Sequence, residues 1–262
     1  ATCALAALAG TGCKEARDIS EELGWTKQEE RKPPPAPVVS LDGHWLASDA
    51  VVADLNQAQW SARWWRWVGR FDDINAVPQR DPNGGRCAMH QEGPVWFLAG
   101  TDGTFDAVRT CTIPADKYLF VPLINWVVHR GVQDATMSCA DKQAEAAHRA
   151  DHVVTGLVLL DGRPVGELQR MRVASGGCFE MSAQNTASAS DGYWLMLKPL
   201  PPGKHQLAIA AAYREDTRQS MQNFRYELEV LAPAATGAAG PAGGVPAADA
   251  GYESRARAPR PG

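Results

Sequence analysis

Short runs of β-forming residues, separated by turn-forming pairs, follow one another between residues 95 and 231 of this chain. Turn signals such as Asp102-Gly103, Asp161-Gly162 and Pro202-Gly203 lie between them. Strands at this spacing are typical of two packed sheets. We therefore expect a mainly β fold, an antiparallel β-sandwich of the jelly-roll or immunoglobulin-like kind. The runs are 95–99, 105–113, 118–124, 153–160, 164–173, 193–197, 206–213 and 224–231.

Some of these runs also predict how neighbouring strands pair. The first three follow one another closely enough to form consecutive antiparallel strands. The runs 153–160 and 164–173 are expected to form a hairpin around Asp161-Gly162. Asp191-Gly192 and Pro202-Gly203 are interpreted as turns, in which glycine supplies the backbone angles, and we attach no function to them.

Two helices are expected to be inserted among the strands. The first covers 56–71, with Asn56 as its N-cap and Gln59 completing a capping box. The apolar stripe of this helix is rich in tryptophan, and each tryptophan buries up to about 250 Å². The stripe is therefore expected to pack across one face of a sheet. The second helix is expected at 138–149. The stripe consists of Trp60, Trp64, Trp67, Val68 and Phe71.

Composition divides the 262 residues into four segments. Segment 1–13 is small and apolar, and 14–37 is a charged and proline-rich tether. Segment 38–231 has the composition of a globular domain and is expected to hold the sandwich. The tail, 232–262, is Ala, Gly and Pro with few large apolar residues. It is expected to be disordered, because it cannot bury enough surface to offset the entropy of ordering.

The apolar start of the chain resembles the end of a bacterial export signal. The small residues before Cys13 resemble a lipoprotein signal, in which that cysteine is lipidated; cleavage after Ala9 and an untargeted N-terminus are the alternatives. No window reaches the roughly 18 apolar residues that span a bilayer, so no transmembrane segment is expected in the mature chain. The expected locations are the periplasm, the outer membrane through a lipid anchor, and the extracellular space.

The four cysteines of the predicted domain are expected to form disulfides, as is typical of exported proteins. Their spacing matches no zinc template, and four cysteines allow three connectivities. Cys87 and Cys111 flank a predicted hairpin, whereas Cys139 and Cys178 flank a helix and a strand pair. We therefore predict the disulfides Cys87–Cys111 and Cys139–Cys178.

Charge and motifs argue against several classes of function. The chain has 26 Lys and Arg against 30 Asp and Glu, a net charge of −4. It lacks the basic excess that binding to nucleic acid requires, so no nucleic acid is expected as a partner. It has no Walker loop, dinucleotide-binding fingerprint or G-x-S-x-G nucleophile elbow. No cofactor is expected.

Three blocks of sequence carry a family resemblance. They are the W-W-x-W helix at 64–67, the C-A-x-x-Q-x-G-P-V-W-F-L-A-G block at 87–100 and the D-G-Y-W-L-M-L block at 191–197. Together they resemble a family of uncharacterised exported bacterial proteins, and the similarity covers about residues 41 to 231. The resemblance implies export, but it implies no particular reaction.

Trp65 is the candidate ligand-binding residue. It lies off the apolar stripe and between Arg63 and Arg66, so it is expected to be exposed. An exposed indole beside cations can stack on a sugar ring. The three residues therefore form a candidate glycan site, with burial in the core as the alternative.

Other polar groups are candidates for catalysis. Asp72, Asp73, His90 and Glu92 lie close to aromatic residues, and a glycosidase requires two carboxylates across a sugar. His90 and Glu92 would point to the same side of a strand. The alternative is that adjacent carboxylates after a helix are loop and capping groups.

Two histidines are candidate metal ligands. His148 and His152 stand at i and i+4 of a predicted helix, a spacing that allows both to bind one metal. Arg149 occupies the place where a metalloprotease carries its general base, and a cation beside a metal ion is unfavourable. Solvated histidines at a helix end are therefore the preferred interpretation, and no metal is expected.

These observations favour a non-catalytic binding or assembly module of the cell envelope. Its expected partner is a glycan or another envelope protein. The alternative is a secreted hydrolase that acts on a polysaccharide or another envelope polymer through the Asp, Glu and His residues named above.

Overall fold

The computed structural model describes residues 43–129, 137–182 and 187–233. The predicted segments 1–13 and 14–37, with Cys13 and its lipid anchor, lie outside the described residues, as does the tail after residue 233. The strands are β1 (Trp45–Leu46), β2 (Val51–Val52), β3 (Leu55–Asn56), β4 (Val95–Phe97), β5 (Ala107–Ile113), β6 (Tyr118–Val128), β7 (Val153–Leu160), β8 (Arg163–Pro164), β9 (Ala189–Leu197), β10 (Gly203–Glu215) and β11 (Arg218–Val230). The α-helices are α1 (Gln57–Val68) and α2 (Cys139–Asp151).

The longer strands form two sheets. The first sheet has the order β1-β9-β6-β4, and the second has the order β5-β11-β10-β7-β8. Strands β2 and β3 form a separate small hairpin. The architecture confirms the expected β-sandwich with two helices. In the described part of the chain, neither helix is long and apolar enough to cross a membrane.

The order of the first three predicted strands differs from the expectation. Strand β4 pairs with β6 in parallel, and β5 joins the second sheet, where it runs parallel to β11. Strand β6 is buried along most of its length, whereas β5 alternates between buried and exposed residues. A strand buried on both faces requires cover on both sides, so β6 lies inside the first sheet while β5 forms an edge of the second. The prediction of three consecutive antiparallel strands is therefore wrong.

Two apolar cores lie on the two faces of the first sheet. Because successive side chains of a strand point to opposite faces, Leu119 and Val121 face the second sheet while Phe120 faces α1. The tryptophan stripe of α1 is buried in the core between the first sheet and this helix, as predicted. There Trp64 donates from Nε1 to the carbonyl oxygen of Leu98 at 2.8 Å. The core against α1 includes Trp60, Trp64, Trp67, Phe97, Phe120 and Trp194.

Helix α1 begins where the sequence predicts and ends earlier. Asn56 and Gln59 form the expected capping box. The helix ends at Val68, before the expected residue 71. A Cβ atom at the next residue, Gly69, would lie 2.5 Å from the carbonyl oxygen of Met181, so the chain approaches its neighbour too closely there for a side chain.

The structure contains the disulfides Cys87–Cys111 and Cys139–Cys178, which is the predicted pairing. Cys87 and Cys111 are buried in the core between the sheets. Cys139 is the first residue of α2, so the second disulfide joins the start of that helix to the loop before β9.

Two Asp-Gly pairs have different structures. Asp161-Gly162 forms the expected tight turn between β7 and β8, with positive φ angles of 51° and 76°. Strand β8 is only Arg163–Pro164, so of the expected run 164–173 only Pro164 lies in the strand that pairs with β7. Asp191-Gly192 lies inside β9, so its interpretation as a turn is wrong. A Cβ at Gly192 would lie 2.5 Å from Cα of Asn125, so glycine is required for the close approach of β9 to β6.

Candidate ligand-binding cleft

A cleft of about 610 Å³ is lined by both sheets, both helices and two loops. Its volume falls within the range of about 300–1,000 Å³ that is usual for small-molecule sites. Strand β6 and the hairpin β10–β11 supply opposite parts of the wall. The lining residues are Trp65, Ile74, Val77, Gln79, Arg80, Thr101, Asp102, Ile124, Asn125, Trp126, Glu145, His148, Arg149, Tyr213, Glu215, Arg218, Ser220 and Gln222.

Three buried polar atoms of this lining have no hydrogen-bond partner in the described part of the chain. They are Nε1 of Trp65, Oε1 of Gln79 and Nδ2 of Asn125. A buried polar group without a partner costs about 1–3 kcal/mol, and folded proteins contain few of them. These two donors and one acceptor are buried atoms of side chains that line the cleft.

Trp65 is buried rather than exposed, which corrects the expectation from its position off the stripe. Its exposed fraction is 8%, and its ring packs edge-on against Trp64 at 4.9 Å. Val77, from the loop that follows α1, belongs to the same apolar core. Trp65 and a residue of this loop thus share one core, and helical periodicity does not reveal such a contribution to burial.

Arg109 holds the loops that form one wall of the cleft. It is 1% exposed, although it is a cation. Its guanidinium donates only to neutral oxygens: the carbonyls of Gln79 (3.2 Å), Asp81 (2.6 Å), Ala99 (2.6 Å) and Gly100 (3.0 Å), and the hydroxyl of Tyr226 (3.1 Å).

The alternation of residues along β5 is the signal in the sequence that identifies this residue as buried. On β5, Arg109 lies two residues after Ala107 and two residues before Cys111, which are both buried. Since side chains of a strand point to one face at every second residue, Arg109 must face inward. An inward-facing arginine on a strand requires a set of buried acceptors.

Arg80 and Asp102 form an ion pair at the edge of the cleft, with 3.2 Å between Nε and Oδ2. Partial burial raises the pKa of Asp102, but hydrogen bonds from Thr104 and Arg80 outweigh it and lower the pKa below its usual value. A carboxyl pKa that is lowered on folding stabilises the folded chain above about pH 4, and that contribution is lost as the pH falls through the folded pKa.

Of the two candidate metal ligands at the end of α2, His148 lines this cleft, and His152 is the residue that follows the helix. The rings of His148 and His152 lie 4.7 Å apart. Nε2 of His148 is 2.8 Å from Oε1 of Glu215, at the end of β10. Hydrogen bonds from Tyr213 and from His148 hold the pKa of Glu215 below its usual range. Glu215 was not among the candidates, because nothing in its local sequence connects it to α2.

Arg63 and Arg66 lie apart from Trp65, so the predicted group of three does not form one site. The guanidinium of Arg63 lies over the ring of Trp60 at 5.0 Å, and Arg66 donates to the carbonyl oxygen of Glu180 at 3.0 Å. Both line a separate hollow of about 410 Å³.

The four candidate catalytic residues do not line the cleft. Asp73 accepts a hydrogen bond from the backbone of Asn75 at 2.8 Å, which is a loop-capping role. Glu92 forms an exposed ion pair with Arg70 at 2.7 Å. His90 has a φ of 55° and lies in a turn, so His90 and Glu92 do not share one side of a strand as expected. Both line the same hollow as Arg63, whereas Asp72 is exposed in the loop after α1.

Comparison with known proteins gives little further information. No family model and no curated protein matches this sequence. Among solved structures, the one described as "Structure of PbICP-C in complex with falcipain-2" is similar to part of the chain, at 10% identity and a TM-score of 0.25. The similarity covers 53% of this chain and 99% of that chain. At this TM-score it carries no argument about function.

Proposed function

We propose that this protein is an exported binding module whose cleft takes a small, uncharged, polyhydroxylated molecule such as a sugar or a short glycan. The observation that carries the proposal is the convergence of Trp65, Gln79 and Asn125, with their unpartnered polar atoms, on one cleft. Sugar hydroxyls both donate and accept hydrogen bonds, so one ligand can satisfy all three atoms.

The charges of the cleft favour an uncharged ligand. Arg80 is paired with Asp102, and Arg149 is paired with Glu145 at 2.8 Å. Cations and carboxylates therefore offset one another along the lining, and neither sign is left in large excess to select an ion.

Aromatic side chains supply the apolar part of the site. Trp126 and Tyr213 both line the cleft, with their ring centroids 5.2 Å apart. Aromatic residues combine a large apolar surface with a polar edge, which suits the alternating apolar faces and hydroxyl edges of a sugar.

The hydrolase alternative receives less support from this geometry. A glycosidase holds one carboxyl in its protonated form to act as the acid. Asp102 and Glu145 are both in ion pairs, and Glu215 is bonded to Tyr213 and His148. These contacts lower the pKa of Asp102 and of Glu215 and so favour their charged forms, which makes binding without conversion the better proposal.

The proposed location is outside the cytoplasm. Two disulfides are typical of proteins that fold in oxidising compartments. Attachment through a lipid on Cys13, and another envelope protein as the partner, stay predictions.

Trp65→Phe tests the proposal, because it removes the unpartnered N–H and keeps an aromatic ring. We expect calorimetric titration with short oligosaccharides of glucose or N-acetylglucosamine to show binding to the wild type. The lost hydrogen bond should weaken the binding by Trp65→Phe about 3- to 10-fold, from a contribution of about 0.5–1.5 kcal/mol.

Trp96→Phe is the matched control. Trp96 is also 8% exposed, and its Nε1 also has no hydrogen-bond partner among the described residues, but Trp96 does not line the cleft. The affinity of Trp96→Phe for the sugar should equal that of the wild type. Equal losses in the two variants, or no binding by the wild type, would contradict the proposal. Shortened sugars in the titrated sample would favour the hydrolase.

A further inference from the structure

We infer that His148, His152 and Glu215 form a binding site for a divalent zinc ion at the edge of the cleft. One candidate ligand atom from each side chain lies within 4.8 Å of the other two. Two imidazoles and one carboxylate are a ligand set that zinc takes in sites that keep an open position. The inference does not depend on the identity of the proposed sugar ligand.

The fold brings the three side chains together by two local features. The i, i+4 spacing near the end of α2 places both histidines on one face of the helix. The backbone N–H of Arg214 donates to the carbonyl oxygen of His152 at 2.9 Å, which fixes the end of β10 against the end of the helix. Glu215 follows directly and faces the two rings.

The surrounding hydrogen bonds already orient the ligands. Nδ1 of His152 lies 2.7 Å from the carbonyl oxygen of His148. A carbonyl oxygen only accepts, so Nδ1 carries the proton and Nε2 keeps its lone pair for a metal. The hydroxyl of Tyr213 donates to Oε2 of Glu215. Such contacts behind the ligands are typical of zinc sites, where they fix the ring tautomer and hold the carboxylate.

Arg149, the nearest cation on the helix, repels a bound zinc ion less strongly than its position suggests. Arg149 donates to Glu145 at 2.8 Å, one turn back along α2. Its charge is therefore offset by a carboxylate that is not a ligand. Arg80 and Arg218 line the same cleft, and Arg80 is paired with Asp102.

The open coordination position would face the cleft, because His148 and Glu215 are both lining residues. With three protein ligands, the fourth position of a tetrahedral zinc ion is taken by water or by an oxygen of a bound molecule. A ligand with a hydroxyl, carbonyl or carboxylate oxygen is the chemical class that such a position accepts.

Zinc titration of the full chain tests this inference. The protein is purified without a histidine tag and stripped with a chelator, then titrated with Zn²⁺ alone by calorimetry, with no sugar present. We expect one site, with affinity lowered at least about 10-fold in His148→Ala, in His152→Ala and in Glu215→Gln. Tyr213→Phe keeps all three ligands and should weaken binding by about 10-fold, as loss of a supporting contact does.

His205→Ala is the matched control. Nδ1 of His205 lies 2.8 Å from Oδ2 of Asp161, so it is also a histidine beside a carboxylate, but it has no place in the proposed cluster. The affinity of His205→Ala for zinc should match that of the wild type. Absence of zinc binding by the wild type, or the same loss in His205→Ala as in His148→Ala, would overturn the inference. Unchanged thermal midpoints in the metal-free variants would confirm that the fold is intact.

Discussion

Replacement of Arg109 with alanine should lower the free energy of unfolding by at least about 3 kcal/mol, since each buried group left without its partner costs about 1–3 kcal/mol. The carbonyl oxygens of Gln79, Asp81 and Gly100 would lose the donor that Arg109 supplies in the interior. Ala99 and Tyr226 would lose it too, but they keep their hydrogen bonds to each other. Guanidinium chloride denaturation followed by circular dichroism would measure the loss. Arg109→Met should also be strongly destabilising, because it fills part of the volume but supplies no donor.

Arg225→Ala is the control for this change. Arg225 lies opposite Val108 on the strand beside β5, and its side chain is 44% exposed. Its loss should change the free energy of unfolding by less than about 1 kcal/mol, the scale of surface substitutions. If the two variants unfold at the same denaturant concentration, Arg109 does not hold the wall of the cleft as described.

Removal of the Cys139–Cys178 disulfide, in the double variant Cys139→Ala/Cys178→Ala, is expected to cost about 4 kcal/mol. The two cysteines are 39 residues apart, and the chain-entropy relation gives this value for a loop of that length. The corresponding variant without Cys87–Cys111, which are 24 residues apart, should lose slightly less, about 3.5 kcal/mol, from loop entropy alone.

Thiol chemistry supplies the control for the disulfides. Denatured wild-type protein that has not been reduced should have no reactive thiol at these four positions, as determined by labelling and peptide mapping. Adding a reductant should destabilise the wild type and leave a variant without any of the four cysteines unchanged. Labelling at all four positions before reduction would show that the protein does not hold these bonds.

The features that the sequence predicted are those with a local signal. The β-forming run of β5, the capping box at Asn56 and the Asp161-Gly162 turn are all encoded by neighbouring residues. Propensity and periodicity act over this range, so strands and helices emerged at nearly the correct places.

The features that the sequence did not predict depend on distant residues. The parallel pairing of β4 with β6 follows from which faces of β6 are buried, and this is decided by α1 on one side and the second sheet on the other. Gly192 resembles a turn glycine, and only the position of Asn125 on the neighbouring strand shows its role.

The candidate site was predicted only in part for the same reason. The spacing of His148 and His152 is visible on one helix, but Glu215 is carried by a strand far along the chain. Trp65 was recognised as a candidate, although its burial depends on a loop that has no periodic signal. Because two helices, two sheets and two loops line the cleft, no single sequence motif could predict it.

The parallel pairing of β5 with β11 also sets the order in which the polypeptide can mature. Ala107 pairs with Phe224, and Ile113 pairs with Val230. The backbone groups of β5 therefore have no partner strand until β11 has been synthesised. Contacts between such distant segments form slowly, because the loop between them must first be closed. Strand β5 therefore reaches its final place only after β11 is available, long after its own residues have been synthesised.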